Sequence, residues 1–278
     1  MNAFSTHDQT RRHSPDPSSG SIGVFDSGVG GLSVLREIRR ELPAEDLIYV
    51  ADSAFAPYGS QSDETIVERS IAIARFLTAR SAKAIVVACN TATAVAVDTL
   101  RSMFAVPVVA MEPAVKPATL NTRSAVVGVL ATTHTLASSK FSRLLAAYGA
   151  DVEILLQPCP GLVEQVEKAD LAGPHTLALI ESYVAPLLAR RADTLVLGCT
   201  HYPFLIGSIR QVAGPGIEII DPSPAVAREL RRRLKAAGLL SQEAGPGTEQ
   251  FWTSATPESV RPVMGQLWTR DISVQHLP

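Results

Sequence analysis
Residues 84–92, Ala-Ile-Val-Val-Ala-Cys-Asn-Thr-Ala, constrain the fold more than any other stretch of this chain. Ala84 to Ala88 is a continuous apolar run rich in β-branched residues, the pattern of a strand buried on both faces of a parallel sheet. It stops at Cys89, Asn90 and Thr91, and Ala92 to Met103 then carries the composition and periodicity of a helix. A strand, a short polar turn and a helix place the turn at the carboxyl edge of a sheet, where open α/β sheets bind ligands. The helix start adds unpaired N–H groups and a positive dipole end, so Cys89 is expected beside an anion site.

The same device recurs. Thr194 to Gly198 is a second apolar strand that runs into Cys199, Thr200 and His201, with a helical pattern from Phe204. The chain holds only three cysteines, so two such turns are hard to ascribe to composition. The halves also align elsewhere. Residues 22–25 match residues 127–130, 105 positions on; Cys89 matches Cys199, 110 on; and Pro113-Ala114-Val115 matches Pro224-Ala225-Val226, 111 on. The small drift is what loop insertions produce. The predicted fold class is therefore α/β, with two similar doubly wound parallel-sheet lobes, a pseudo-symmetric duplication, facing across one cleft. Residues 1–20, rich in Ser, Pro, Thr and Asp, read as a disordered tail. Residues 21–114 with 225–278 read as one lobe and residues 115–224 as the other. Within them, Asp63 is expected to cap a helix to Ala79, and one helix is expected after Thr135 to run to Tyr148.

Length and composition remove other classes. A chain of 278 residues accommodates two modest domains. A net charge of −2 offers no footprint for nucleic acid or an anionic membrane. Arg228, Arg231, Arg232 and Arg233 read as a solvated helix face, because the chain as a whole is not basic. No apolar run approaches the ~20 residues that span a bilayer, and the first twenty residues lack a secretory h-region. A cytoplasmic location with reduced thiols is expected.

Two thiols facing each other suit one chemistry in particular. A proton on the Cα of an amino acid is weakly acidic, and moving it between faces needs a base on one side and an acid on the other. One thiolate can remove it while the opposite thiol returns a proton; a free cysteine near ~8.5 has both forms within reach at neutral pH. Asp26 and Ser27 can tune Cys89, and His201 and Glu164 can tune Cys199. Asn90, Thr91, Thr200 and the helix starts can hold a carboxylate and developing negative charge. Rival readings remain at this stage. Gly28-Val29-Gly30 after a strand, with Asp52 further on, outlines a dinucleotide fingerprint, but Ser33 stands where its third glycine belongs. Zinc lacks a Cys-x-x-Cys or paired-His spacing, so no metal is expected. Cys199 with His201 is also the outline of a cysteine hydrolase, and a two-lobed amino-acid sensor would need no chemistry. Cys159, between two prolines, reads as structural. His7, His13, His134, His175 and His276 read as surface or packing residues.

Phe25-Asp26-Ser27-Gly28-Val29-Gly30-Gly31-Leu32, Pro57-Tyr58-Gly59, Cys89-Asn90-Thr91-Ala92 and Gly198-Cys199-Thr200-His201-Tyr202-Pro203 together resemble the glutamate racemases of the aspartate/glutamate racemase superfamily. The resemblance covers roughly Ile22 to Leu234. It implies a cofactor-independent isomerase that racemises glutamate and supplies D-glutamate for peptidoglycan. It implies Cys89 acting on the D-enantiomer and Cys199 on the L-enantiomer, with Asp26, Glu164 and His201 assisting. Substrate contacts are implied for Asp26 and Ser27 near the amino group, for the Tyr58-Gly59 backbone near the side-chain carboxylate, and for Asn90 and Thr91 at the α-carboxylate. Thr132, Thr200 and His201 complete the implied set. Ser60-Gln61 stand where the family commonly has a basic residue. Thr-His after Cys199 resembles the glutamate rather than the aspartate enzymes. The implied partner is small-molecule glutamate, with no nucleic acid and no membrane; a homodimer is left open, as is activation by a peptidoglycan precursor.

Overall fold
The computed structural model describes residues 17–149 and 151–278. The chain begins with β1 (Ile22–Asp26), β2 (Leu47–Ala51), β3 (Ala84–Val87) and β4 (Val108–Ala110), continues with β5 (Val126–Ala131), β6 (Glu153–Pro158), β7 (Thr194–Gly198) and β8 (Glu218–Ile220), and ends with β9 (Glu249–Thr253) and β10 (Val274–His276). They form two sheets, ordered β10-β9-β2-β1-β3-β4 and β6-β5-β7-β8. Every pairing is parallel. The orders β2-β1-β3-β4 and β6-β5-β7-β8 are the same arrangement of equivalent strands, as expected of a duplication. β9 and β10 extend the first sheet beyond β2.

The parallel arrangement explains the composition. β1, β2, β3 and β7 are buried at every position because helices cover both faces. One core cluster runs without a break from Leu32 and Tyr49 on the first sheet's side to Leu197 and Tyr202 on the second's. Two smaller cores stay within a lobe, around Phe25 and Val87 and around Val127 and Val196. Among the described residues no helix is long and apolar enough to cross a membrane.

Local structure departs from the sequence reading in four places. The helix Asp63–Ala79 is capped by Ser62, not Asp63; the Ser62 hydroxyl accepts from the Thr65 amide at 3.2 Å, leaving Asp63 in the first turn, where its charge favours the dipole. The helix expected to run to Tyr148 is two helices, Thr133–Ala137 and Ser139–Tyr148, broken where extended Ser138 caps the second. β10 is a short, polar edge strand with no periodic signal. The tail assigned to residues 1–20 falls outside the described residues up to residue 16; Pro17–Ser19 form a 3₁₀ turn with Ser18 buried.

That turn is tied to a buried ion pair at the edge of the first sheet away from the cysteines. Lys83, just before β3, lies 2.5 Å from Glu45 Oε2, both side chains 3% exposed. Lys83 Nζ also donates to the Ser18 carbonyl at 2.5 Å, and Glu45 Oε1 accepts from the Ser241 amide at 2.8 Å. Removing one member leaves the other charge buried and unpaired, so Lys83→Met is expected to lose about 3–5 kcal/mol. Urea unfolding measures this, and an unchanged midpoint would contradict it.

Candidate active site
Cys89 closes β3's run and caps the helix Asn90–Met103. Its backbone is extended, and its sulfur accepts from the Ala92 amide at 3.4 Å. The helix thus starts two residues earlier than its composition indicates, because the thiol takes the place of a capping hydroxyl. Cys89 Sγ also lies 3.9 Å from Ser27 Oγ, at the end of β1. Burial pushes this thiol up from its ordinary range, and the neighbouring Asp26 carboxyl adds to that effect.

Cys199 directly follows β7. Its sulfur lies 3.6 Å from His201 Nδ1, and His201 Nε2 lies 2.7 Å from Glu167 Oε1. The same oxygen of Glu167 accepts from the Val29 amide at 2.8 Å, in the turn after β1. Ser33 donates to the Thr200 carbonyl at 2.9 Å, and the Thr200 hydroxyl lies 3.4 Å from Asp26 Oδ2. The second thiol's surroundings are therefore stitched to the first lobe. Burial opposes a charged His201, but hydrogen bonds with Cys199 and Glu167 outweigh it and hold the imidazole well above its ordinary range.

Both cysteines line one cleft together with Ser27, Tyr58, Gly59, Asn90, Thr91, Thr132, Thr200 and His201. The structure also puts there Pro57 and Gly198, which the sequence reading named only as parts of motifs, and Thr135 and Val163, which it missed. Thr91, Thr132 and Thr135 form a hydroxyl cluster across the two lobes, with separations of 3.0 to 3.3 Å. The Asn90 amide is buried, and neither its oxygen nor its nitrogen has a hydrogen-bond partner within the protein.

Two expected residues stand elsewhere. Asp26 is fully buried behind Ser27, accepting from the Gly31 amide at 2.8 Å. Burial holds its carboxyl above the usual range, while the charge on His201 and the Gly31 amide pull it back. Glu164 is exposed and lines an adjoining recess with Cys159, Ser60 and Thr133. The carboxylate on His201 is that of Glu167, one turn further along the helix Leu162–Glu167. Two glutamates three apart share a helix face, so spacing alone does not choose between them. In the folded chain Glu167 meets His201 Nε2 at 2.7 Å, while Glu164 faces outward.

The glycines of the first turn have a different task from the one a dinucleotide fingerprint gives them. A Cβ on Gly28 would sit 1.9 Å from Glu167 Oε1, and one on Gly30 would sit 2.3 Å from His201 Nδ1. They are bare so that the second lobe can close. Asp52, the acidic residue of that fingerprint, is engaged by Tyr58 and Arg69 instead.

The two duplicated parallel sheets form an α/β protein with one cleft at their carboxyl edges, where open sheets of this kind bind small ligands. The chain matches the Asp/Glu/hydantoin racemase family over residues 22–230 and belongs to that family. It is 55% identical over 257 residues to the glutamate racemase of Methylococcus capsulatus, covering 92% of this chain and 95% of that one. Its structure resembles that of glutamate racemase isoform RacE1 from Bacillus anthracis, with a TM-score of 0.84 and 32% identity over 93% of this chain and 97% of that one. It also resembles glutamate racemase from Francisella tularensis in complex with D-glutamate, with a TM-score of 0.81 and 30% identity over 94% of this chain and 98% of that one.

Two outcomes follow from this geometry. Gly30→Ala must displace the His201 ring while leaving the sheets intact. It is expected to melt near the wild-type temperature yet lose about 100-fold in racemase turnover, the scale of an ångström-sized misplacement; full turnover would contradict the close approach. His201 has a folded-state pKa raised above its unfolded value. The stability it contributes is complete below about pH 6.5 and is lost as pH rises through the raised value. The gap in urea midpoint between wild type and His201→Gln should be widest on the acid side of that range and narrow as the solution turns alkaline.

Proposed function
We propose that this chain interconverts L- and D-glutamate by a two-thiol proton transfer at Cα and supplies D-glutamate for peptidoglycan synthesis in the cytoplasm. The observation that carries this reading is the lining of one cleft by Cys89 from one sheet edge and Cys199 from the other. With L-glutamate bound, the Cys199 thiolate takes the Cα proton and becomes a thiol. The Cys89 thiol gives its own proton to the opposite face and becomes a thiolate. The reverse passage starts from the Cys89 thiolate and D-glutamate, so the protein and one substrate proton balance over either turnover.

The carbanion between these steps spreads its charge into the α-carboxylate. Asn90, Thr91 and the start of the helix Asn90–Met103 are suited to hold that group, and the unpaired Asn90 amide supports this. Ser27, with Asp26 behind it, suits the ammonium end. The Tyr58–Gly59 backbone, with Thr132 opposite, suits the side-chain carboxylate. His201 is a positioning residue for Cys199, held in place by Glu167. Glutamate is preferred over the family's other substrates because the Methylococcus capsulatus relative is a glutamate racemase and the Francisella tularensis one binds D-glutamate.

Incubating L-glutamate with the protein in deuterium oxide is the direct test. Optical rotation should fall to zero while one deuterium enters at Cα. D-Glutamate formed without deuterium, or turnover of aspartate alone, would overturn the reading. Cys89→Ala and Cys199→Ala should each lose about 10²–10⁴-fold in racemisation, the range for loss of a general acid or base; either one turning over at the wild-type rate refutes the two-thiol assignment.

A further inference from the structure
The loop between β2 and the helix Asp63–Ala79 supplies Pro57, Tyr58 and Gly59 to the cleft, yet none of its residues belongs to a strand or α-helix. What holds it is a buried polar junction. Asp52 is fully buried, and its carboxylate accepts the Tyr58 hydroxyl at 2.6 Å, Arg69 Nε at 3.0 Å and Arg69 Nη2 at 2.7 Å. The guanidinium also stacks on the Phe55 ring, 4.2 Å from its centroid. Gln61 Nε2 donates to the Phe55 carbonyl at 3.2 Å, closing the loop on itself. Tyr58 is 1% exposed and its hydroxyl is taken up by Asp52, so its side chain serves as an anchor. Burial pushes its hydroxyl up, and adjacent Asp52 reinforces this, so it stays a donor. Gly59, next to the anchor, sits opposite Thr132, whose Cβ is 3.6 Å from where a Gly59 Cβ would stand.

We propose that Asp52 and Arg69 are positioning residues for recognition of the substrate's side-chain carboxylate, and through it for the choice of glutamate over aspartate. The inference rests on the reading above, in which the Tyr58–Gly59 backbone receives that carboxylate. The fork of Arg69 meets a carboxylate in a two-bonded geometry that lysine cannot reproduce. It fixes Asp52, Asp52 fixes the Tyr58 ring, and the ring fixes the height of the Gly59 backbone in the cleft. Neither residue touches the reacting carbon. Loosening them should therefore weaken binding of the distal carboxylate and leave the proton transfer itself nearly intact.

The test is steady-state racemisation by full-length Arg69→Met and Asp52→Asn, with L-glutamate, D-glutamate and L-aspartate, alongside thermal melting. Arg69→Met should raise KM for both glutamate enantiomers about tenfold, roughly one well-placed interaction, while kcat stays within about twofold. The ratio of kcat/KM for glutamate over aspartate should fall, and Arg69→Lys should recover part of it. Asp52→Asn keeps the shape and an acceptor for Tyr58 but drops the charge that orders Arg69, and it should show the same KM shift; it decides the matter if Arg69→Met does not fold. A lowered melting temperature with unchanged KM and unchanged substrate ratio would make the junction merely structural and overturn the inference. Wild-type protein that racemises no glutamate would overturn the underlying functional reading instead.

Discussion

The hydrogen bonds that run from Val29 through Glu167 and His201 to Cys199 are the constraint on which the site depends. They tie an amide of the first lobe to a sulfur of the second, inside a region from which water is largely excluded. Glu167 Oε1 and both ring nitrogens of His201 have partners, which is what makes a buried polar chain tolerable and rigid. The chain exists only because Gly28 and Gly30 carry no side chains where the imidazole and carboxylate arrive. Thr200 reaching Asp26, and Ser33 reaching Thr200, are further consequences of the same close approach.

Duplication explains why two sulfurs come to one cleft, and the neighbours explain why they are not equivalent. Each cysteine ends the third strand of its lobe and begins a polar turn, so the two sheets present them in like manner. Cys89 has a serine hydroxyl, a backbone amide and, behind these, a buried carboxyl that burial keeps high. Cys199 has an imidazole that its own partners hold high. The two sulfurs are therefore alike in placement and unlike in their surroundings.

Much of this was legible in the residues. The apolar runs before Cys89 and Cys199 marked buried parallel strands, and the polar residues after each marked the ligand edge. The matched offsets between halves anticipated two sheets of one order. Ser27, Asn90, Thr91, Thr132 and Thr200 were all singled out and all line the cleft. The errors have local causes. Ser62 and Ser138 cap helices through hydroxyls whose effect depends on a backbone bend that composition does not show. Glu164 was named from the resemblance, and the helix turns it outward into the adjoining recess while Glu167 meets His201. Asp52 was noted only as part of a dinucleotide outline that Ser33 spoils; its engagement by Arg69, 17 residues on, has no signature in sequence.

The sequence alone determined the architecture and the placing of one cysteine at the ligand edge of each sheet. Hydrophobic periodicity and strand-turn-helix order are local properties, and they were written twice. Only the tertiary structure decided which carboxylate meets His201, why the glycines after β1 are glycines, and what anchors the Tyr58–Gly59 wall. Those are contacts between lobes or across a loop, made by residues far apart in the chain. They are set by how packed elements approach one another in space, which no local pattern encodes.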